Sequence, residues 1–536
     1  MGRTGRLWMT ALFCAGFSGC LAAGTAVPGE DPVDGPTLVV MLVIDQLRPD
    51  MLDRFDDYFT GGLRRVIDEG HSFADATHDH AYTFTAPGHT TLSTGVHPTR
   101  HGIVSNDWWE LEDTEWREVY SMEDPESAIL GYPTMVGRSP ANLYRGGLAD
   151  WIAAVDPEAR VVSISRKDRA AIALAGRAMG EVYWMDDPVA GFMTSTYYRS
   201  EYPEWVQRFN EEEMPGVYGD MVWESRAPEE AKLLTRPDTS DYEMRGRRGV
   251  FPHRAANQVD VADSAALNRW HARTPAPDAA VLGLTKAALA ELELGRRGTV
   301  DYLAVSLSQI DRIGHNYGPF SREQLNTLLH LDDVLAELFQ SLDEAVGRNG
   351  WVGGFSSDHG VLEIPEHLAE RGEDAVRLDL DQMGLFRETV MGAVGSGIQD
   401  DALAFEIKRA IERLPFVEKA YTFAEVQDAQ ARPDSFAVLF ARSFSRERAI
   451  SLPSRYGVYH RWRPQHLYEM SDATTHGTPY HYDRTVPMIF LGAGVEAGVS
   501  YGPAATVDLA PTLAALAGIQ TPDDLDGRAL LEPDTR

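Results

Sequence analysis

"TLVVMLVI" (residues 37–44) is a continuous apolar run, rich in β-branched residues, that ends immediately before Asp45. A run of this length without alternating polar residues is typical of a strand that is buried on both faces of a parallel sheet. Helical patterns separate it from later runs of the same kind, so the sequence predicts an α/β fold with a mostly parallel central sheet and helices on both faces. The four later runs are residues 160–165, 301–308, 351–357 and 486–492.

The helical segments and the longer intervals indicate how the chain is organised. Helices are predicted at residues 51–69 and, with the clearest apolar periodicity, at 322–346. Two long intervals, at about 186–260 and 362–470, depart from the strand–helix alternation, and we interpret both as subdomains inserted into the main sheet. The sequence thus predicts one large domain over residues 36–536.

Residues 1–26 have the features of a targeting segment. Arginines precede an apolar run that is too short to span a membrane, and small residues follow. "FSGC", ending at Cys20, resembles a bacterial lipobox, and simple cleavage near "LAAGTA" is the alternative. We therefore expect an exported protein that is periplasmic or lipid-anchored to the bacterial outer membrane. Because Cys14 and Cys20 both lie in this segment, the mature chain would have no disulfide.

The chain of 536 residues is strongly acidic, with 81 acidic and 49 basic side chains and a net charge of −32. Such a surface repels phosphate backbones and anionic lipids. We therefore expect no nucleic-acid binding, and membrane contact only through an N-terminal lipid. An anionic substrate would need a strongly positive local site.

Asp and His residues follow several predicted strands at the point where each strand ends. In sheets of this kind, ligands bind at the carboxyl ends of the strands. Carboxylate oxygens and neutral imidazoles suit zinc and similar divalent ions. Each short motif alone is common by chance, but their joint occurrence at strand ends favours a metal site. The six candidate ligands are Asp45, Asp311, His315, Asp358, His359 and His476.

Most of the other histidines need no metal-binding role. His89 and His481 lie near the candidate ligands in the sequence, and we expect them to support the site structurally. The histidines that we interpret as surface or packing residues are His71, His78, His80, His97, His101 and His330.

The polar segment "TFTAPGHTTLSTG" (residues 83–95) contains a candidate nucleophile, Thr85. A free threonine hydroxyl is a poor nucleophile, but metal coordination lowers its pKa enough to supply an alkoxide. With Thr85 added, the candidate ligands suffice for two metal ions, a pair suited to phosphoryl displacement. Pro87 and Gly88 predict a tight turn that presents the hydroxyl at a helix start. Taken alone, Thr85 as a simple helix cap remains the alternative.

The order and spacing of these motifs resemble the alkaline phosphatase superfamily. The sequence is most similar to the bacterial phosphate-irrepressible alkaline phosphatases, which use a threonine nucleophile, and to their relatives, the nucleotide pyrophosphatase/phosphodiesterases. The resemblance covers nearly the whole mature chain. Its motifs are "VVMLVIDQLRPD", "TFTAPGHTTLSTG", "HGIVSNDWW", "SRKDRAAIALAG", "SQIDRIGHNYG", "GFSSDHG", "TTHGTPYHYDRTVPMIFLG" and "TVDLAPTLAALAGI".

This resemblance implies a site with two Zn²⁺ ions and a covalent phosphothreonine intermediate on Thr85. It assigns one zinc to Asp311, His315 and His476. It assigns the other zinc to Asp45, Asp358, His359 and the Thr85 oxygen.

The resemblance also implies that Asn106, Lys167 and Arg169 hold the oxygens of the phosphoryl group. If the chain stays extended after its strand, Lys167 and Arg169 point the same way and Asp168 faces away. The alternative for Asn106 is a turn residue. The alternative for Lys167 and Arg169 is a pair of surface side chains in salt bridges.

The sequence therefore predicts a monomeric, zinc-dependent alkaline phosphatase that hydrolyses small-molecule phosphate monoesters. A phosphodiesterase or nucleotide pyrophosphatase on the same scaffold is the first alternative. Because a diester has one phosphoryl oxygen substituted, Lys167 and Arg169 favour the monoester. A sulfatase is disfavoured, because that family needs Cys or Ser followed four residues on by Arg, where this chain has Thr85 and His89. A metal-binding surface lipoprotein without turnover is the remaining alternative.

Overall fold

A nine-stranded sheet forms the centre of the protein, in a computed structural model that describes residues 35–187, 189–246, 249–429, 435–469 and 471–532. The strands are β1 (Leu38–Ile44), β2 (His71–Thr77), β3 (Asp107–Glu112), β4 (Glu115–Tyr120), β5 (Val161–Ser165), β6 (Glu181–Asp186), β7 (Val189–Met193), β8 (Val222–Trp223), β9 (His253–Arg254), β10 (Asp301–Leu307), β11 (Trp351–Ser356), β12 (Val376–Arg377), β13 (Val417–Thr422), β14 (Val458–Trp462), β15 (His466–Leu467), β16 (Met488–Gly492) and β17 (Gly498–Ala505).

The order of strands in the central sheet is β17-β2-β16-β11-β1-β10-β5-β6-β7. The middle of the sheet is parallel, because β11, β1, β10, β5 and β6 pair in the same direction. β16 runs antiparallel to β11 and to β2, and β7 runs antiparallel to β6. The predicted mostly parallel sheet is thus confirmed, and the last predicted strand begins at Met488 and runs against its neighbours.

Helices cover both faces of the sheet. They are α1 (Pro49–Phe55), α2 (Gly62–Glu69), α3 (Thr85–Thr94), α4 (Pro98–His101), α5 (Leu148–Val155), α6 (Asp168–Ala175), α7 (Glu204–Arg208), α8 (Met214–Val217), α9 (Glu229–Lys232), α10 (Ser264–His271), α11 (Ala276–Glu291), α12 (Gln309–Tyr317), α13 (Arg322–Val346), α14 (Pro365–Glu370), α15 (Leu380–Val394), α16 (Asp400–Ile411), α17 (Phe423–Gln427), α18 (Ser435–Arg442), α19 (His481–Arg484) and α20 (Leu509–Leu516).

The two hydrophobic cores explain why β1 is apolar throughout. Val40 and Leu42 belong to a core that includes residues of α2, α11 and α13. Val39 and Met41 belong to a second core that includes residues of α3, α5 and α20. Successive side chains of a strand point to opposite faces, so a strand covered on both sides must be apolar at every position.

The helix predicted over residues 51–69 is wrong as a single element, because α1 and α2 are separate helices. The break lies where Gly61 and Gly62 pass close to α13, since a Cβ on Gly61 would lie 2.7 Å from the carbonyl oxygen of Asp332. The Asp332 carboxylate also accepts hydrogen bonds from the backbone N–H groups of Gly61 and Leu63, both at 2.7 Å. These contacts stabilise the start of a new helix. The helix predicted over 322–346 is confirmed as α13.

The two intervals that we interpreted as insertions contain small ladders of their own. β8 pairs with β9 in the first interval, whereas β12 pairs with β15 and β13 with β14 in the second. The first interval also contains β7, which extends the central sheet. The predicted domain boundaries stay a prediction.

The predicted leader, residues 1–26 with Cys20, lies outside the described residues. Among the helices that the structure describes, none is both long and apolar enough to cross a membrane.

Candidate active site

The candidate site lies where β1, β10 and β11 end. Asp45 directly follows β1, Asp311 lies in the first turn of α12 after β10, and Asp358 lies two residues beyond β11. Because these three strands are adjacent and parallel, their carboxyl ends bring the three side chains to one edge of the sheet. All three carboxylates are buried.

One group of potential metal ligands consists of Asp311, His315 and His476. Asp311 and His315 are one turn apart on α12, and His315 Nε2 lies 3.0 Å from Asp311 Oδ1. His476 Nε2 lies 3.7 Å from the same oxygen. This is the set that the resemblance assigned to one zinc ion.

The second group consists of Asp45, Asp358 and His359. His359 Nε2 lies 3.5 Å from Asp45 Oδ1 and 3.3 Å from Asp358 Oδ2. These three atoms are all buried, and none has a hydrogen-bond partner. Buried polar atoms without partners are costly, so three of them facing one another indicate a place for a cation.

The histidines of both groups have their protons fixed by backbone carbonyl groups. His315 Nδ1 lies 2.9 Å from the oxygen of Thr474, and His476 Nδ1 lies 2.7 Å from the oxygen of Thr83. His359 Nδ1 lies 3.0 Å from the oxygen of Gly360. A carbonyl oxygen only accepts, so each Nδ1 donates, and a neutral ring then presents the lone pair of Nε2 to its group.

The three carboxyl groups strongly influence one another's protonation. Burial, together with the negative charges of Asp311 and Asp358, raises the pKa of Asp45 well above its usual value. Burial opposes ionisation of Asp311 too, but His315 and Lys167 together lower its pKa well below the usual value. The site therefore concentrates negative charge that nearby cations must balance.

Lys167 lies between the two ligand groups. Its Nζ atom is 2.5 Å from Asp45 Oδ2 and 2.6 Å from Asp311 Oδ2. The side chain is buried and comes from the residue that precedes α6. A single ammonium group therefore reaches a carboxylate of each group.

Thr85 is buried and is the first residue of α3, which agrees with its predicted place at a helix start. Pro87 and Gly88 lie inside the first turn of α3, so the predicted turn at these positions is wrong. Pro87 is tolerated there because the first N–H groups of a helix have no intrahelical partner. A Cβ on Gly88 would overlap the carbonyl oxygen of Asp358, so glycine allows the helix to approach this residue.

His89 connects the Thr85 segment to a candidate ligand. Its Nδ1 atom lies 2.9 Å from the carbonyl oxygen of Thr85 and 3.2 Å from Asp358 Oδ2, and its Nε2 lies 2.9 Å from Ser306 Oγ. These contacts agree with the supporting role that we expected. His481 is exposed at the start of α19 and belongs to neither ligand group.

The histidines that were interpreted as surface or packing residues also lie outside both ligand groups of the described chain. Four of them are buried, namely His78, His80, His97 and His101. His71 and His330 are partly exposed.

A cavity of about 410 Å³ opens beside Lys167 and the Asp311–His315 turn of α12. Arg169 and Asp168 line it too, so the expectation that Asp168 faces away from the site is wrong. The reason is that α6 begins at Asp168, and the chain does not continue extended past Lys167. Asp168 accepts hydrogen bonds from Tyr120 at 2.5 Å and from Arg138 at 2.7 Å.

Gln46 was not among the predicted site residues. Its backbone N–H donates to Asp358 Oδ1 at 3.1 Å, and its Nε2 donates to Asp311 Oδ1 at 2.7 Å. It thereby orients one carboxylate from each ligand group. Its position immediately after Asp45 is the one signal that would have drawn attention to it.

Comparisons with known proteins relate the whole chain to phosphoryl-ester hydrolases. A profile of the type I phosphodiesterase/nucleotide pyrophosphatase family matches residues 39–461. Alkaline phosphatase PhoV of Synechococcus elongatus is 30% identical over 98% of this chain and 98% of its own length. Alkaline phosphatase PafA of Elizabethkingia meningoseptica is 29% identical over 93% of this chain and 95% of its own length.

Two solved structures of PafA have the same fold. The wild-type crystal structure has a TM-score of 0.84 and 27% sequence identity, covering 94% of this chain and 100% of its own. A variant has a TM-score of 0.84 and 26% identity, covering 93% of this chain and 99% of its own. That variant carries substitutions of a threonine, an asparagine, a lysine and an arginine, and the last two lie two positions apart.

Proposed function

The chain belongs to the type I phosphodiesterase/nucleotide pyrophosphatase family, and from this membership we propose that it is an alkaline phosphatase that hydrolyses phosphate monoesters. The observation that carries the proposal is Lys167, whose ammonium group lies between the two ligand groups, with Arg169 in the same cavity. A monoester dianion has three charged or partly charged non-bridging oxygens. Two cationic side chains that line the same cavity match that charge better than they match the smaller charge of a diester.

The named relatives support the same proposal. PhoV and PafA are both alkaline phosphatases, and each aligns over nearly all of this chain. The residue types substituted in the PafA variant are those of Thr85, Asn106, Lys167 and Arg169. Lys167 and Arg169 are also two positions apart, which supports their joint role at the phosphoryl group.

The residues of both ligand groups fit divalent metal ions. Each group offers carboxylate oxygen and imidazole nitrogen, which is the donor set that zinc prefers, and neither contains a thiolate. We propose that Asp311, His315 and His476 hold one Zn²⁺, and that Asp45, Asp358, His359 and the Thr85 oxygen hold another. Bound there, the ions would supply Lewis acidity and lower the pKa of the Thr85 hydroxyl.

Thr85 is the proposed nucleophile. The Thr85 hydroxyl loses its proton to solvent, Oγ1 attacks the phosphorus atom, the bond from phosphorus to the ester oxygen breaks, and the leaving alkoxide takes up a proton from solvent. Water then attacks the phosphothreonine, which regenerates the Thr85 hydroxyl and releases inorganic phosphate. Asn106, Lys167 and Arg169 orient the non-bridging oxygens and stabilise the charge that develops on them.

A phosphodiesterase or nucleotide pyrophosphatase is the second candidate, because the matching family profile is named for those activities. The two candidates are separated by kcat/KM on p-nitrophenyl phosphate, methyl p-nitrophenyl phosphate and p-nitrophenyl sulfate, measured with zinc-loaded protein. We expect the monoester to be preferred by a wide margin. Preference for the diester would replace the proposed function, and no hydrolysis of any ester would leave a metal-binding protein without turnover.

Export to the periplasm or outer membrane, lipidation of Cys20 and a monomeric state are also part of the proposal. The N-terminal sequence motif supports the first two. Mass spectrometry of the mature N-terminus checks them, and light scattering checks the third.

A further inference from the structure

The cavity beside Lys167 extends past the phosphoryl residues to two more arginines. Arg166 and Arg312 both line it, and each is the chain neighbour of a residue already assigned to the site. Arg166 precedes Lys167, and Arg312 follows Asp311. Neither guanidinium group has a role in the proposed chemistry at phosphorus.

These two arginines share one carboxylate. Arg166 forms an ion pair with Asp187, and Arg312 NH2 lies 3.8 Å from the other oxygen of Asp187. Arg166 is only 8% exposed, and the Nε atom of Arg312 is buried without a hydrogen-bond partner. The two guanidinium groups therefore share one carboxylate, and the 3.8 Å contact of Arg312 is too long to be a hydrogen bond.

Across the whole lining of the cavity the charges balance, because five aspartates face four arginines and one lysine. Asp168 is bound to Arg138 and Tyr120, and Asp311 contacts Lys167 and belongs to a ligand group. The two remaining carboxylates are Asp186 and Asp472. In a chain with a net charge of −32, a cavity lined by as many cationic as anionic side chains is less acidic than the chain as a whole.

We propose that Arg166 and Arg312 form a subsite for a second anionic group, a carboxylate or a second phosphate, on the leaving group of the ester. The inference rests on the proposed phosphatase function and names the substrate class for the same site. Guanidinium groups bind carboxylates and phosphates in a fork geometry, and the NH2 atom of Arg312, 3.8 Å from Asp187, can donate to such a ligand.

Three esters of similar size test the subsite. Glycerol 3-phosphate has a neutral leaving group, 3-phosphoglycerate adds a carboxylate, and propane-1,3-diol bisphosphate adds a phosphate. The quantity measured is the ratio of kcat/KM for each anionic ester to kcat/KM for the neutral ester. This ratio cancels changes that act on the phosphoryl group, which the three esters share.

In the wild-type protein we expect the carboxylate ratio to exceed one and the bisphosphate ratio to exceed two, since either of its two equivalent phosphates can react. Both ratios should fall about tenfold in Arg166→Gln/Arg312→Gln, which removes charge-assisted hydrogen bonds. Raising the ionic strength should lower the wild-type ratios, because partly exposed charges are screened. The control is Arg145→Gln, which removes a surface arginine paired with Asp524 outside the cavity. It should leave both ratios unchanged.

Asp187→Asn is a second variant, and its expected result would not follow if the two arginines had only a structural role. It removes the one carboxylate that the two arginines share and keeps the side-chain shape, so the ratios should rise. Wild-type ratios at or below one for the carboxylate and at or below two for the bisphosphate, or equal ratios in wild type and the double variant, would overturn the subsite while leaving the phosphatase activity in place. Absence of activity on all three esters would instead contradict the proposed function. A ratio that falls for only one anionic ester identifies which source of the charge the subsite prefers.

Discussion

The Oδ1 atom of Asn106 lies 2.8 Å from the backbone nitrogen of Ala86, the residue that follows Thr85. A backbone N–H donates, so Oδ1 accepts, and this bond fixes which end of the carboxamide faces the start of α3. The NH₂ group of Asn106 then points elsewhere as a donor. One side chain therefore anchors the Thr85 segment and keeps two N–H donors for the contact with a phosphoryl oxygen that we propose.

Two substitutions separate those roles of Asn106. Asn106→Asp keeps an acceptor for the Ala86 N–H but loses the donors and adds a negative charge, whereas Asn106→Ala loses both. If the donors bind the phosphoryl group, kcat/KM for a monoester should fall about 10- to 100-fold in Asn106→Ala. It should fall further in Asn106→Asp. Near wild-type activity in Asn106→Asp would show that Asn106 only anchors the helix start.

Thr85→Ala should abolish the covalent route, because alanine has no hydroxyl to attack phosphorus. The melting temperature and the metal content should stay close to those of the wild type. Thr85→Ser should retain measurable turnover, since the alkoxide chemistry survives. The measurement is the burst of p-nitrophenolate, which leaves as the phosphothreonine forms, and the steady-state kcat on p-nitrophenyl phosphate. Full activity in Thr85→Ala would require a different nucleophile.

The fold was predictable where one physical constraint decided the pattern. The apolar runs that became β1, β5, β10 and β11 had to be buried on both faces, and that need is visible in the sequence. The break between α1 and α2 was not visible, because it depends on the close approach of Gly61 to Asp332, far away in the chain. Such tertiary contacts leave no periodic signal.

The same distinction holds for the candidate site. The six candidate ligands were predictable because Asp and His follow strands that end at one edge of the sheet, whereas their division into two groups came from the family resemblance. Gln46 and the position of Asp168 were not, because each depends on the direction of a side chain after the strand ends. Lys167 was predicted to contact the phosphoryl group. Its contacts with Asp45 and Asp311 were not predicted, because they join residues that are far apart in the chain.

Removing the metal should lower stability as well as activity. Without cations, burial and the mutual repulsion of the Asp45, Asp311 and Asp358 carboxylates both oppose ionisation, and together they raise the pKa of Asp45. Ligands that bind the native state alone stabilise it by mass action. We expect elemental analysis to find about two zinc ions per chain, by the two-metal argument. Chelation should lower the melting temperature, and added zinc should restore it together with activity.

The melting temperatures of wild type and Asp358→Asn, compared at the same protein concentration, test the stabilisation by zinc without an activity assay. Asp358→Asn removes one charge from the second ligand group, so its melting temperature should depend less on zinc than that of wild type. An equal zinc response in the two proteins would contradict this assignment of the ligands.

Acid should destabilise the protein through buried histidines. Burial lowers the pKa of His78 to about 4. Its Nε2 donates to the oxygen of Ser357 at 3.0 Å, so its Nδ1 accepts from Thr506 Oγ1 at 2.9 Å, which leaves no place for a second proton. The unfolded chain protonates this ring near pH 6.5 and the folded chain does not. The stability that neutral His78 contributes is thus fully present above pH 6.5 and is lost as the pH falls toward 4.

His78→Gln isolates this contribution, because glutamine offers one donor and one acceptor but does not titrate. Between pH 6.5 and about 4, the slope of unfolding free energy against pH should decrease by up to about 1.4 kcal/mol per pH unit in the variant. Denaturant unfolding of the metal-loaded protein at several pH values measures it. His481→Gln is the control, because that side chain is exposed, and its slope should match wild type. An unchanged slope in His78→Gln would mean that His78 is charged in the folded protein.

The last prediction distinguishes the monoesterase from the diesterase through Lys167 and Arg169. Lys167→Ala and Arg169→Ala should each lower monoester kcat/KM about 10- to 100-fold, because each loses a hydrogen bond to a charged oxygen. A methyl diester has one of those oxygens substituted, so its kcat/KM should fall much less in the same variants. The two side chains act on one group, and the double variant need not show the product of the single effects. Equal losses on both esters would mean that the pair supports the fold or the metal ligands, as the contacts of Lys167 with Asp45 and Asp311 would then explain.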